Sequence, residues 1–242
     1  MKKFWLILFL LAAGWTKPKL AVVIDDCGYS LPDARYFAAL KYPLTLAVIP
    51  GQAYSRACAL EIKKTGQSLL IHFPWTPLGE NGQKNYPVRI EQGYPAENMA
   101  RMLEQALAAV PDADGINNHQ GSVLSADREM MDRFMRVLRD RPETLYFLDS
   151  GTAPNSQAKA AALRCGIPAA RNDLFLDGTQ DDKTIAERFA AAVLLAERKG
   201  NAVAICHAGR PATKRVLKKL LAKYNDRVQY VHLPEIMAER LR

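Results

Sequence analysis

Aspartate and histidine side chains recur at the ends of apolar, β-branched runs in this 242-residue chain. Asp25 and Asp26 end the first run, and His72 ends the third. His207 ends the seventh run, and His119 follows a shorter fourth one. Parallel strands in barrels direct their carboxyl ends to one rim, where active sites form. We therefore expect these five side chains, which are distant in sequence, to converge on one site.

The residue types at this rim predict a metal-dependent hydrolase. Two histidines and one carboxylate are a common ligand set for a catalytic Zn²⁺ that keeps a position open for water. Such an ion lowers the pKa of its water and polarises a carbonyl group. Asp26, His72 and His119 are the candidate ligands for Zn²⁺ or another divalent ion. Asp25 is the candidate general base, and His207 is the candidate acid for the leaving group.

Each of these residues also has a structural interpretation. An aspartate pair after a strand is compatible with an ordinary turn, and a histidine that ends an apolar run is often a hydrogen-bonded core residue. His119 belongs to a run of polar side chains, Asn117–Ser122, which is costly to place near a core unless it binds something. The joint occurrence of these residues at strand ends favours a metal site. The fourth histidine, His232, is expected to be structural.

Three further residues are candidates for supporting roles. Asp149 and Asp177 each follow an apolar run, and either can orient His207 or a metal ligand, with helix capping as the alternative. Arg171 is a candidate partner that keeps Asp25 ionised. Asp149 and Arg171 therefore join the candidate catalytic residues.

Apolar runs alternate with amphipathic segments along the chain after residue 18. The runs predict strands at 20–24, 44–49, 68–71, 115–117, 145–148, 174–176 (starting near 169), 202–205 and 228–231. Helical periodicity occurs at 32–40, 54–64, 95–110, 126–139, 156–164, 181–199 and 211–223. Continuous apolar runs are typical of parallel strands covered by helices. The order predicts an α/β fold with one parallel, barrel-like sheet.

Residues 1–18 differ in composition from the rest of the chain. Lys2 and Lys3 precede an unbroken apolar run, Phe4–Ala13, which is short for a bilayer span and typical of a secretory signal peptide. We expect 1–18 to be a signal peptide or hydrophobic leader, and 19–242 to be the folded domain. The protein is then exported to the periplasm or cell envelope. Membrane contact is expected only through an uncleaved leader.

Charge and cysteine usage narrow the range of partners. The net charge is +8, with basic residues mixed among acids. The one basic cluster, within Lys214–Lys223, is spaced along one side of a helix. We interpret it as a solvated face, so no nucleic-acid partner is expected. Four cysteines permit three disulfide pairings, and the sequence leaves both the pairing and the oligomeric state open.

Five segments carry a resemblance to a known family: Val22–Tyr29, Leu70–Trp75, Gly115–Ser122, Tyr146–Ser150 and Ala204–His207. In this order they resemble the divergent polysaccharide deacetylase family, of the YibQ type, within the NodB-like deacetylase superfamily. The resemblance covers essentially everything after the leader. It implies a single-domain, distorted parallel (β/α) barrel of about seven strands and a bound zinc ion.

The resemblance also implies roles for individual residues. In the superfamily the first aspartate of the pair is the base and the second is a metal ligand, which correspond to Asp25 and Asp26. The late-strand histidine that acts as acid corresponds to His207. The superfamily's second ligand histidine, four residues after the first, is replaced here by Thr76. His119 is the natural replacement, arriving from another strand.

The implied function is removal of acyl groups, N-acetyl above all, from an envelope or extracellular carbohydrate. The irregular stretch 73–94 is long enough to be functional. Its aromatic residues Trp75, Tyr86 and Tyr94 either stack against sugar rings or pack on the surface. One alternative is a catalytically weak or inactive protein that binds glycan or an envelope partner. Another is a different metallohydrolase, such as a phosphoesterase, which would need a second metal.

Overall fold

The computed structural model describes residues 17–79 and 86–239. The expected leader, residues 1–18, lies outside this part of the chain except for its last two residues. Within the described ranges, no helix combines the length and the apolar character that a membrane crossing requires.

Parallel strands form the central sheet, as the continuous apolar runs predict. The described strands are β1 (Lys19–Cys27), β2 (Thr45–Val48), β3 (Ser68–Trp75), β4 (Gly115–Gln120), β5 (Tyr146–Asp149), β6 (Ala169–Arg171), β7 (Leu174–Phe175), β8 (Asn201–His207) and β9 (Gln229–Tyr230). Eight of them lie in the order β6-β5-β4-β3-β2-β1-β8-β7, and β9 pairs with the start of β1. Parallel neighbours need crossover connections, which most of the intervening helices supply.

The helices occupy the segments with helical periodicity. They are α1 (Leu31–Ala38), α2 (Ser55–Lys64), α3 (Ala96–Ala109), α4 (Ser122–Ala126), α5 (Arg128–Arg139), α6 (Ala158–Arg164), α7 (Asp182–Lys199), α8 (Pro211–Tyr224) and α9 (Leu233–Glu239). The sequence pattern does not predict α4 or α9. Both are too short to show a clear helical period, since α4 has five residues and α9 has seven.

The two edges of the sheet are joined by only two residues. Strands β6 and β7 stand at opposite ends of the strand order, yet Asn172 and Asp173 alone separate them in the chain. The Asn172 amide donates to the Asp149 carbonyl, and the Asp173 amide donates to the Val203 carbonyl, both at 2.9 Å. The sheet therefore curls until its edges nearly meet, which confirms the single-domain, distorted barrel. The row has eight strands because the segment predicted as one strand near 169–176 is divided in two.

Apolar residues fill both faces of this curled sheet. Alternate residues of β1 pack outward against the helices, while Ala21 and Val23 face the barrel interior. Three side chains of α9 join that interior cluster, namely Leu233, Ile236 and Met237. Because β9 and α9 follow one another at the amino end of β1, they fill that end of the barrel. Polar side chains are left for the carboxyl end.

Strands β3 and β4 are longer than the apolar runs predict. They continue to Trp75 and Gln120, and their last residues pair with each other, Pro74 opposite His119 and Trp75 opposite Gln120. His72 and His119 therefore lie within strands, not at the end of one and in the loop after another. The ends of β3 and β4 pair with each other, so their backbone groups are hydrogen-bonded. The polar side chains of this part of β4 lack the apolar pattern by which a strand is predicted.

Two residues of the basic cluster form ion pairs, and none of the four cysteines forms a disulfide bond. Lys214 forms an ion pair with Asp33, and Arg215 forms one with Asp182. All four cysteines are free thiols, and three of them are buried.

Candidate metal centre

Strand alternation brings the predicted side chains into the carboxyl end of the barrel. On β3, His72 follows Leu70 with a period of two, and Leu70 belongs to the interior cluster. On β8, His207 follows Ile205 in the same way. On β4, Asn117 and His119 share one face for the same reason. Side chains from three strands therefore converge on the interior.

The aspartate pair reaches this interior through a break in alternation. Asp26 adopts a left-handed backbone conformation with φ of 61°. The pairing of β1 with β2 shifts register between Ile24 and Cys27, as at a β-bulge. Both carboxylates consequently approach His72 Nε2, with Asp25 Oδ2 at 3.6 Å and Asp26 Oδ1 at 3.4 Å. A regular strand would place adjacent side chains on opposite faces.

Three candidate ligand atoms form a compact triangle. His119 Nδ1 lies 3.0 Å from His72 Nε2 and 3.2 Å from Asp26 Oδ1, and the third side is the 3.4 Å contact of His72 with Asp26. Ligands bound tetrahedrally to zinc at ~2.0 Å lie about 3.3 Å apart. Asp26 Oδ1 is buried and accepts no hydrogen bond of good geometry, so this carboxylate oxygen has lone pairs available for a cation. The triangle fits a divalent cation.

The pKa shifts within the triangle leave Asp26 negatively charged. Burial raises the pKa of Asp26, but the imidazoles of His119 and His72 outweigh it and hold that pKa well below its ordinary range. Burial lowers the pKa of His72, yet the charges of Asp25 and Asp26 bring the net shift upward. The pKa of His119 is lowered, mainly by burial. An ionised carboxylate thus faces two imidazoles, of which His119 is the one that stays neutral.

Each of the two candidate ligand histidines has a hydrogen-bond partner on its other nitrogen. His72 Nδ1 lies 2.9 Å from Asn117 Oδ1, and His119 Nε2 lies 2.8 Å from the Tyr86 hydroxyl. Burial raises the pKa of Tyr86, so its phenol stays neutral. The Tyr29 hydroxyl donates to Tyr86 at 3.2 Å. Such partners set the tautomer and ring orientation of metal-binding histidines.

His207 stands beside the triangle with its own carboxylate. Its Nδ1 lies 2.8 Å from Asp177 Oδ1, and Asp177 Oδ2 accepts the His207 amide at 2.8 Å and the Thr213 hydroxyl at 2.6 Å. Burial lowers the pKa of His207, but the hydrogen bond and charge of Asp177 raise it above its ordinary value. Asp25 is the neighbour of His207 across β1 and β8. A protonated imidazole is therefore favoured opposite the Asp25 carboxyl group.

A family comparison fits this arrangement. The model of the divergent polysaccharide deacetylase family matches residues 22–237. The chain belongs to this family. Its YibQ relative from Escherichia coli, called an uncharacterized protein, is 34% identical over 221 residues, which cover 91% of this chain and 68% of the relative. An uncharacterized protein of Haemophilus influenzae is also 34% identical, covering 90% of this chain and 76% of its own length.

Solved structures share the fold of this family member at lower identity. An uncharacterized protein from Agrobacterium tumefaciens has a TM-score of 0.84 at 21% identity, covering 93% of this chain and 91% of its own. The catalytic domain of a peptidoglycan N-acetylglucosamine deacetylase from Eubacterium rectale has a TM-score of 0.52 at 11% identity. The match covers 90% of this chain and 89% of that domain. A lactam utilization protein from Thermus thermophilus has a TM-score of 0.57 at 15% identity. The match covers 90% of this chain and 99% of that protein. Proteins named for different activities share this fold, so the fold alone does not identify the reaction.

Two predicted residues lie apart from the centre of this deacetylase-family protein. Asp149 lies on the same outer face of β5 as Phe147, two residues earlier. Arg171 Nε lies 3.6 Å from Asp149 Oδ2. Arg171 also donates to the Ala153 carbonyl. In the described part of the chain, neither side chain has a contact with Asp25. The expected Arg171–Asp25 pair is thus replaced by an Arg171–Asp149 pair, and a catalytic role for either residue stays a prediction.

The sequence pattern predicts no role in the centre for Asn117. The signal that identifies it is its spacing of two from His119, which puts both on one face of a strand. The sequence predicts that Tyr86 stacks against a sugar ring or packs on the surface, whereas its hydroxyl lies 2.8 Å from His119 Nε2. His232 lies elsewhere, with Nε2 3.2 Å from Gln67 Oε1, in keeping with its structural interpretation.

Proposed function

We propose that this protein is an exported, zinc-dependent hydrolase that removes N-acetyl groups from an envelope or extracellular carbohydrate. The triangle of Asp26, His72 and His119 carries the proposal, because its ligand atoms lie at the spacing that tetrahedral zinc requires. Membership of the divergent polysaccharide deacetylase family supports a carbohydrate substrate. Zinc bound there would supply the Lewis acid that polarises the acyl carbonyl and lowers the pKa of water.

Asp25 serves as the general base. It is almost fully buried, and its Oδ2 points toward the ligand triangle. Burial raises the pKa of Asp25, against the opposing charges of His72 and His207, which makes its carboxylate a stronger base than an exposed aspartate. It takes a proton from the water that attacks the acyl carbon.

His207 serves as the general acid. Asp177 holds its Nδ1, so Nε2 is the nitrogen left to face the substrate. The raised pKa keeps a larger fraction of His207 protonated near neutral pH. It donates that proton to the amine nitrogen as the carbon–nitrogen bond breaks, which lets the sugar leave as a neutral amine.

Turnover of N-acetylated oligosaccharides tests the proposal. The purified protein is loaded with zinc and given chitooligosaccharides or peptidoglycan fragments, and released amines are quantified. We expect one zinc per chain and turnover that Asp25→Asn lowers by about 100-fold or more while zinc stays bound. Zinc binding without turnover on any acetylated substrate would favour the glycan-binding alternative. Two metals per chain would favour a different metallohydrolase, although the described residues offer a single cluster of three donors.

Export is tested separately from catalysis. The basic and apolar composition of residues 1–18 supports it. Fractionation of cells that express the full chain should recover it outside the cytoplasm, and mass spectrometry of the recovered protein reads whether the leader has been removed. Recovery in the cytoplasm alone would overturn the location without affecting the metal centre.

A further inference from the structure

Asn117 lies between a proposed zinc ligand and the proposed base. Its side chain is fully buried on β4. Asn117 Oδ1 lies 2.9 Å from His72 Nδ1, while its Nδ2 donates to Asp25 Oδ1 at 2.9 Å and to the Ser150 hydroxyl at 3.2 Å. One amide therefore contacts both functional groups, and all its contacts are with buried atoms.

The partners of this amide leave one workable orientation. A carboxylate only accepts hydrogen bonds, so the group that faces Asp25 must be the amide NH₂. Ser150 takes the second amide hydrogen. The amide oxygen then faces His72, and the opposite orientation would set two oxygens against each other at 2.9 Å.

This orientation determines the tautomer of His72. An amide oxygen only accepts, so His72 Nδ1 must carry the proton and donate it to Asn117. In the neutral ring Nε2 is then unprotonated, and its lone pair points at Asp26 Oδ1 and His119 Nδ1, the other two corners of the triangle.

The same amide positions the base. Asp25 Oδ1 accepts from Asn117, which leaves Oδ2 on the side of the triangle, 3.6 Å from His72 Nε2. The carboxylate is thereby fixed with one oxygen occupied and one directed at the place where zinc and water would meet. Holding both groups through one rigid planar amide also fixes their mutual distance.

We propose that Asn117 is a positioning residue that couples the zinc ligand His72 to the base Asp25, its oxygen serving metal binding and its NH₂ serving proton transfer. The inference rests on the proposed function for the roles of these two residues. It adds that the two halves of one side chain have separable effects, which a purely structural asparagine would not have.

Two substitutions distinguish the role of the Asn117 amide oxygen from that of its NH₂ group. Asn117→Asp keeps an acceptor for His72 Nδ1 but replaces the amide donor to Asp25 with a second carboxylate, which repels Asp25 unless the two share a proton. We expect its zinc affinity to stay within about threefold of wild type while kcat falls about 10- to 100-fold. Asn117→Leu loses both contacts, so we expect zinc affinity and kcat each to fall about 10- to 100-fold.

The neighbouring Asn118 supplies a matched control. It is also fully buried on β4, but its amide contacts the Ser150 backbone, the Gln120 carbonyl and Thr152 instead of the centre. Asn118→Ala should lower thermal stability and leave zinc affinity within about threefold of wild type. Zinc affinity is read by competition with a chromophoric chelator, kcat by amine release, and folding by thermal denaturation.

The outcomes distinguish this inference from the proposed function. If wild type binds no zinc, the proposed function fails first. If wild type binds zinc and turns over substrate, but Asn117→Asp loses both properties together or Asn117→Leu loses neither, the coupling role is wrong. If wild type binds zinc without turnover, the affinities of the two Asn117 variants still test the His72 half.

Discussion

Asp25 and Asp26 are adjacent in a β-strand, yet both carboxylates approach the same nitrogen of His72, at 3.6 and 3.4 Å. The left-handed conformation of Asp26 makes this arrangement. Aspartate and asparagine tolerate that conformation better than other residues with a Cβ, because their short polar side chains form local hydrogen bonds. Residue type at position 26 is therefore constrained by the backbone as well as by its proposed role as a metal ligand.

Substitutions at Asp26 should separate these two constraints. Asp26→Asn and Asp26→Ala both remove the charged ligand, so each should weaken zinc binding by at least about 10-fold. In the metal-free state Asp26→Asn should be more stable than Asp26→Ala by about 1 kcal/mol, because alanine is less tolerant of the left-handed conformation. Chemical denaturation in the presence of chelator measures the difference. Equal stability of the two variants would contradict a backbone role for the residue type.

Removal of His119 should abolish stoichiometric zinc binding. Its Nδ1 completes the triangle, and two ligands hold zinc far more weakly than three. His232→Ala is the matched control, because that imidazole bonds Gln67 and has no described contact with the centre. Metal analysis after desalting should give one zinc per chain for wild type and His232→Ala, and almost none for His119→Ala. Full retention of zinc by His119→Ala would remove this residue from the ligand set.

Sequence patterns place His72 and His207 at the ends of two predicted strands, and the structure has both residues on strands, β3 and β8. The patterns fail at three points for identifiable reasons. The second half of β4 is polar and lacks the apolar pattern of a strand, so the sequence predicts a loop at His119. The break in alternation at Asp26 depends on pairing with β2. Arg171 pairs with Asp149 instead of the predicted Asp25, because the Asp149 side chain lies on the outer face of β5. The position of a residue near a strand end does not reveal which face its side chain occupies.

Gly121 should be costly to replace. It follows β4 directly with φ of 83°, and a Cβ there would lie 2.7 Å from the Trp75 Cβ. Gly121→Ala combines a disfavoured backbone conformation with a clash, so we expect the free energy of unfolding to fall by about 2 kcal/mol or more. Gly178→Ala is the control, since a Cβ there meets no atom within 4 Å. Urea denaturation should show a change within about 0.5 kcal/mol for Gly178→Ala. A similarly small change for Gly121→Ala would mean that the turn relaxes.

Asp177 should set the alkaline limit of activity. The proposed reaction needs His207 protonated, so activity falls as pH rises through the pKa of His207. Burial lowers that pKa, but the hydrogen bond and the charge of Asp177 outweigh burial and raise it above the ordinary histidine value. Asp177→Asn removes the charge and keeps the burial, so the pKa of His207 should fall and the alkaline limb of kcat/KM should move to lower pH. Asp149→Asn is the control, because Asp149 pairs with Arg171 and should leave the position of that limb unchanged. If Asp149→Asn moves the limb and Asp177→Asn does not, then Asp149 is the carboxylate that controls the acid.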